Sequence, residues 1–153
     1  MNRFLAIDPG ANGAIARFAD GRLREVIDLP GRTSRLRIMI QFPRLEGVVL
    51  EQVNGIPGQS APAAFTFGRI YGEIRGVCDA EGVPIVDVHP SVWKGALGLR
   101  KGLSETKAQS KSRSRALAAE IFPDFAGEFA RARDEGKAEA ALIGHWYLTK
   151  GQS

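Results

Sequence analysis

Between Arg3 and Leu29 the chain runs through three short apolar stretches joined by turns too brief to hold a crossover. Arg3–Asp8 (RFLAID) ends on the turn signal Asp8-Pro9-Gly10, Gly13–Phe18 (GAIARF) resumes the apolar pattern, and Ala19-Asp20-Gly21 leads tightly into Leu23–Leu29. Short Gly-bearing turns oblige consecutive strands to run antiparallel, so the chain opens as a meander. The pattern then changes. Thr33–Phe42 spaces Leu36, Ile38, Met39, Ile40 and Phe42 as a short helix would, and Gly47–Val53 (GVVLEQV) is a continuous run suited to a strand buried on both faces. Ser60 and Pro62 start a helix carrying Phe67, Ile70, Tyr71, Ile74, Val77 and Cys78 at helical spacing, closed by Gly82. Val83–Val88 reads as a second buried strand, Pro90-Ser91 opens a short segment through Leu97, and Gly98–Ser104 is the candidate mobile loop. Thr106–Phe122 is a helix stopped by Pro123, and a last helix runs from about Asp134 to Leu148. A meander followed by strands alternating with helices predicts an α/β fold, a mixed sheet with helices on its faces, built as a single domain over residues 1–153.

Three acids break this apolar pattern. Asp8 ends the first strand, Glu51 interrupts the VVL-E-QV run, and Glu139 shares a helical face with Ile143 and Trp146. Charged groups are unfavourable inside apolar strands unless paired or bound to metal. Carboxylates converging without histidine or cysteine form the ligand set of a hard cation, Mg²⁺ or Mn²⁺, and two such ions about 3.5–4 Å apart act on phosphodiesters. At the start of the last helix, Glu135 lies one turn before Glu139 on its face, whereas Asp134 reaches the same point only from a non-helical lead-in. The chain has two histidines, His89 and His145, and a single cysteine, Cys78, which argues against zinc and an internal disulfide and suits a reducing cytoplasm. No apolar run is long enough for a membrane span, and MNRFLAIDPG lacks the layout of a signal peptide.

The formal charge is +4, and its placement is uneven. Lys94, Arg100, Lys101, Lys107, Lys111, Arg113 and Arg115 fall in one stretch against a single acid, Glu105. Such a stretch is either a solvated face or a surface that tracks nucleic-acid phosphates. Gly68, Gly72 and Gly76 recur every fourth residue on one helix. Each mid-helix glycine costs about 0.5–1 kcal/mol relative to alanine, so the stripe implies close backbone approach, either to the sheet or to the same helix of a second subunit. Phe67 and Tyr71 flank it and would add contact area to a two-fold interface.

LAIDPGANGAIARF, VVLEQV, VDVHPSVWKGALGL and the closing GKAEAALIGHW resemble, in order and over nearly the whole chain, the RuvC-type Holliday-junction resolvases, especially their phage and prophage branch. The resemblance implies an RNase H-like fold, an α/β five-stranded mixed sheet (antiparallel meander, then parallel strands) with helices on both faces. It also implies a homodimer that nicks four-way DNA symmetrically in recombination and repair, with four carboxylates and divalent metal, two ions per site, in each subunit. No other small-molecule cofactor and no membrane partner is implied. Asp8 matches the first-strand aspartate, Glu51 the central-strand glutamate and Glu139 the last acid of the closing helix. The usual closing pair lies three residues apart, which here falls on Gly136, so Asp134 or Glu135 takes the fourth place. Asp134 is slightly preferred because a break at Gly136 would let the chain loop back. Lys111, with Lys107 in reserve, matches a lysine beside the scissile phosphate, where it would offset charge building in the transition state. Asn54–Pro62 matches a loop used at the junction centre; Asn54 and Ile56 are its DNA-contact candidates, Ile56 being the bulky apolar one. Two other readings remain: a catalytically silent DNA-binding relative, and an RNA-processing nuclease of the same fold. The Asp8-Pro9-Gly10 turn also resembles that of actin-like kinases, which need two such domains.

Overall fold

In the computed structural model, which describes residues 1–29, 36, 40, 44–52 and 60–150, the meander forms as its turns require. Strand β1 (Arg3–Asp8) pairs antiparallel with β2 (Ala14–Ala19), and β2 with β3 (Arg22–Asp28). Asp20 and Gly21 both adopt positive φ, 54° and 71°, as a tight primed hairpin turn demands. The chain then crosses to the other side of β1. Strand β4 (Gly47–Glu51) lies parallel to β1, with Ile7 opposite Leu50, and β5 (Ile85–Val88) lies parallel to β4. The order β3-β2-β1-β4-β5 puts β1 at the centre of a five-stranded mixed sheet.

Strand alternation divides the core in two. Leu5, Ile7, Ile15, Val48 and Leu50 point to the face covered by helix α1 (Ala61–Ala80) through Ile70, Ile74 and Cys78. Phe4, Ala6, Ala16, Phe18 and Val49 point to the other face, where α4 (Glu135–Thr149) lies with α2 (Pro90–Ala96) and α3 (Lys107–Ile121) beside it. Each helix starts as its sequence dictates. Ser60 caps α1 with proline in its first turn, and Thr106 and Gln109 form a reciprocal capping box on α3. Gly82, at φ 66°, ends α1. Pro123 begins a 3₁₀ turn through Phe129, and a second 3₁₀ turn, Ala132–Asp134, leads directly into α4.

Helix α4 is buried on all sides from Gly136 to Gly144, because the β1–β2 hairpin covers one side and α3, α2 and the 3₁₀ turns cover the others. A Cβ at Gly136 would lie 2.0 Å from the Asn12 carbonyl oxygen, and one at Gly144 would lie 2.0 Å from Phe18 Cε2. Gly136 therefore does not break the helix; it lets the helix touch the hairpin turn.

Several expectations change. The Val83–Val88 strand is shorter and is not buried on both faces: it forms the sheet edge, and Asp87 stays in solvent, where it pairs with Arg75 of α1. The Gly98–Ser104 loop is anchored, with Leu99 buried and the Gly98 and Arg100 carbonyls accepting from Arg113. The glycine stripe does not pack on the sheet, since a Cβ at Gly68, Gly72 or Gly76 meets nothing within 4 Å among the described residues. The predicted Thr33–Phe42 helix lies outside the described residues apart from the buried Leu36 and Ile40, and Val53, Asn54 and Ile56 lie outside them altogether.

Candidate functional site

The same alternation that builds the core delivers two acids to one point. Asp8 follows Phe4 and Ala6 on β1, and Glu51 follows Val49 on β4, so both side chains face α4 at the carboxyl ends of adjacent parallel strands. Glu139 stands opposite on α4. One carboxylate oxygen from each of Asp8, Glu51 and Glu139 lies within 4.8 Å of the others, and all three residues are nearly buried. The structure thus brings together three of the predicted ligands.

Each acid is held by a neighbour. The Gly10 N–H donates to Asp8 Oδ1 at 2.9 Å, so the Asp8-Pro9-Gly10 turn orients its own aspartate. The indole N–H of the fully buried Trp93 reaches toward Glu51 Oε1 at 3.4 Å. Lys94 Nζ lies 2.8 Å from Glu139 Oε1. Burial, then the neighbouring Glu139, pushes Asp8 up to about 7. Burial, then Asp8 and Glu139, pushes Glu51 up to about 8. Glu139 is raised by burial, against which Lys94 works. For Lys94 burial acts against the charge, but the attraction of Glu139, Glu51 and Asp8 prevails and raises it. Three desolvated carboxylates facing one another call for more positive charge than one lysine provides, and an all-oxygen set of this kind fits a hard divalent cation.

The fourth acid is a correction. Asp134 does not join the cluster: its carboxylate accepts from the Arg131 backbone N–H and guanidinium, is held well below the usual range by the Arg131 hydrogen bonds, and caps the 3₁₀ turn before α4. The chain does not loop back, because α4 is helical from Glu135 onward. Glu135, one turn before Glu139, lines the cleft and is ion-paired with Lys111.

The cleft measures about 650 Å³, and Phe67, His89, Lys94, Lys107, Lys111 and Arg133 line it together with the acids. Lys107 and Lys111 are the members of the basic run that stand at its rim. Lys94, expected as a DNA contact, also lines the cleft and is ion-paired with Glu139. Arg113 is bound to Glu105 and two loop carbonyls, and Arg115 to the Ala130 carbonyl at 2.9 Å, so both tie the fold together. Arg100 and Lys101 are exposed outside the cleft. Phe67, expected at an interface, lines the cleft, and Tyr71 donates to Asp87 across the edge of the sheet. Sequence reasoning missed Trp93 as the partner of Glu51. The available signal was the Trp93-Lys94 pair straight after a strand-to-helix turn, an aromatic anchor beside a lone cation.

No protein-family model matches the chain, and no curated protein sequence matches it. Solved structures do match, two of them as follows. One is T. thermophilus RuvC in complex with Holliday junction substrate, at 18% identity and a TM-score of 0.63 over 100% of this chain and 98% of that one. The other is Thermus thermophilus RuvC, at 18% identity and a TM-score of 0.56 over 97% and 96%. The chain is similar to both over nearly their whole length, and its fold, a meander followed by parallel strands with helices on both faces, is that of RuvC.

Proposed function

We propose that the chain is a divalent-metal-dependent endodeoxyribonuclease that resolves four-way DNA junctions, working as a homodimer in the manner of the phage and prophage branch of RuvC-type resolvases. The observation that carries this reading is the convergence of Asp8, Glu51 and Glu139 at strand ends in a cleft rimmed by Lys107 and Lys111. The junction seen with the structurally similar T. thermophilus protein is the natural candidate substrate.

Asp8, Glu51 and Glu139 would hold Mg²⁺ or Mn²⁺, and a bound ion supplies a water of lowered pKa and charge stabilisation on a phosphodiester oxygen. The remaining work falls to the chain. The Gly10 N–H and the Trp93 indole fix the carboxylate orientations, and Lys107 and Lys111 meet phosphate oxygens at the rim. Glu135 takes the place of the fourth acid, ready to turn inward once Lys111 engages a phosphate. The outward glycine stripe and the exposed Phe65 supply the surface for a second subunit. The test is Mg²⁺-dependent nicking of a synthetic four-way junction beside a linear duplex of the same sequence. Paired nicks on the junction alone support the reading, whereas equal cleavage of both substrates refutes junction selectivity.

A second reading, a catalytically silent junction-binding relative, draws on one observation. Gly136 stands where the resemblance puts an acid, and the Asn12 carbonyl leaves no room for any side chain there. Tight junction binding without nicking in Mg²⁺ or Mn²⁺ would favour it.

A further inference from the structure

Lys94 is placed with unusual care for a lysine. It belongs to a seven-residue helix whose start is capped by His89 Nδ1, and its neighbour Trp93 is fully buried. Its own carbonyl accepts from the Leu99 N–H at 2.7 Å. The backbone is therefore fixed on both sides. From this base the side chain, 30% exposed, reaches Glu139 Oε1 at 2.8 Å, with Nζ lying 5.0 Å from the Trp93 ring centroid. That ring in turn faces Glu51. Among the described residues, Lys94 is the one cation ion-paired with a member of the Asp8–Glu51–Glu139 cluster.

We propose that the Lys94 ammonium is the internal counter-ion of this cluster, and that a divalent cation binds by displacing it from Glu139 rather than by adding to a bare acidic site. The inference rests on the metal-binding reading given above. Its reason is electrostatic. The three carboxylates need compensation while the protein folds without metal, and a tethered ammonium provides part of it without dissociating. A divalent ion on Glu139 and an ammonium on the same carboxylate repel each other, so one leaves as the other arrives. Lysine suits such an exchange, because its charge is compact and its four-carbon stem swings freely, whereas a bidentate arginine fork would lock the site. Metal affinity is thereby kept moderate, and Glu139 has a cationic partner with or without metal.

Manganese binding without DNA tests this, read from the electron paramagnetic resonance of free Mn²⁺. Lys94→Met and Lys94→Gln should bind Mn²⁺ about tenfold tighter than the wild type. They should melt at lower temperature without metal, and the rise in melting temperature on adding Mn²⁺ should exceed that of the wild type. The double variant Asp8→Asn, Glu51→Gln sets the baseline. Wild-type binding above that baseline, with unchanged or weaker binding in both Lys94 variants, would overturn the exchange and leave the metal reading standing. No binding above baseline in any protein would overturn both. On the unmutated chain labelled with ¹⁵N-lysine, Mg²⁺ should move the Lys94 side-chain resonance; a resonance that stays put at saturating Mg²⁺ would also overturn the exchange.

Discussion

Glu51 occupies an otherwise apolar strand, buried beside Asp8 and Glu139, and its charge is unfavourable there until a cation compensates it. Glu51→Gln keeps the shape and removes the charge, so metal-dependent cleavage should fall by several orders of magnitude while junction binding persists or tightens, as gel shift and nicking assays on one substrate will read. The raised acids also set a pH dependence. Asp8 rises from 3.8 to about 7 and Glu51 from 4.5 to about 8, so the folded chain binds more protons than the unfolded chain between those limits. Stability of the metal-free protein is therefore full below about pH 4 for these groups and is lost as pH climbs through 7 to 8. His145, lowered by burial, acts in the opposite sense over the lower part of that window, so the informative quantity is a difference. Wild type should lose melting temperature from pH 5 to pH 8.5 by several degrees more than Glu51→Gln, and saturating Mg²⁺ should abolish the gap. Lys111 belongs at this scale too. Lys111→Ala should slow cleavage far more than it weakens junction binding, because a contact that strengthens in the transition state affects rate above affinity; equal losses in rate constant and Kd would make it an ordinary phosphate anchor.

At the scale of elements, most boundaries were legible because local chemistry sets them: Asp20-Gly21 fixes the hairpin, Ser60 and Thr106 cap their helices, and Pro123 stops α3. Glu51 and Asp8 could be singled out for the same reason, as charges at the ends of apolar runs. What could not be read depends on contacts between elements. Asp134 and Glu135 are adjacent, and only the helix phase and the Arg131 guanidinium decide that one caps a turn and the other lines the cleft. Lys94, Arg113 and Arg115 read alike as a basic stretch, yet one compensates buried acids and two bind carbonyls. Gly136 looked like a helix break because its partner, the Asn12 carbonyl, lies over a hundred residues away in sequence. That contact is testable. Gly136→Ala should destabilise the fold by about 1–3 kcal/mol in urea denaturation, against the usual gain from alanine in a helix, since the new methyl group forces α4 off the hairpin. A neutral or stabilising result would contradict the close approach.

For the whole molecule, the order of strands and the two covered faces follow from the turn lengths and the change in apolar period, whereas the proposed homodimer rests on the glycine stripe. The stripe at Gly68, Gly72 and Gly76 faces outward with open space above it. Gly72→Leu should therefore leave the melting temperature of the isolated chain unchanged or higher while abolishing dimerisation in sedimentation velocity. A wild type that stays monomeric at micromolar concentration, with and without junction DNA, would contradict paired cutting. No helix among the described residues is long and apolar enough to cross a membrane. The exposed Phe65 stands near the stripe, where the proposed subunit contact would cover it. The central claim is that the two strand ends and α4 together hold a divalent cation. The most direct measurement is the anomalous scattering of Mn²⁺ in crystals of this protein: the predicted result is a peak within about 2.5 Å of oxygens from Asp8, Glu51 and Glu139, and ordered Mn²⁺ bound elsewhere, with Lys94 still on Glu139 and no peak in the cluster, would contradict it.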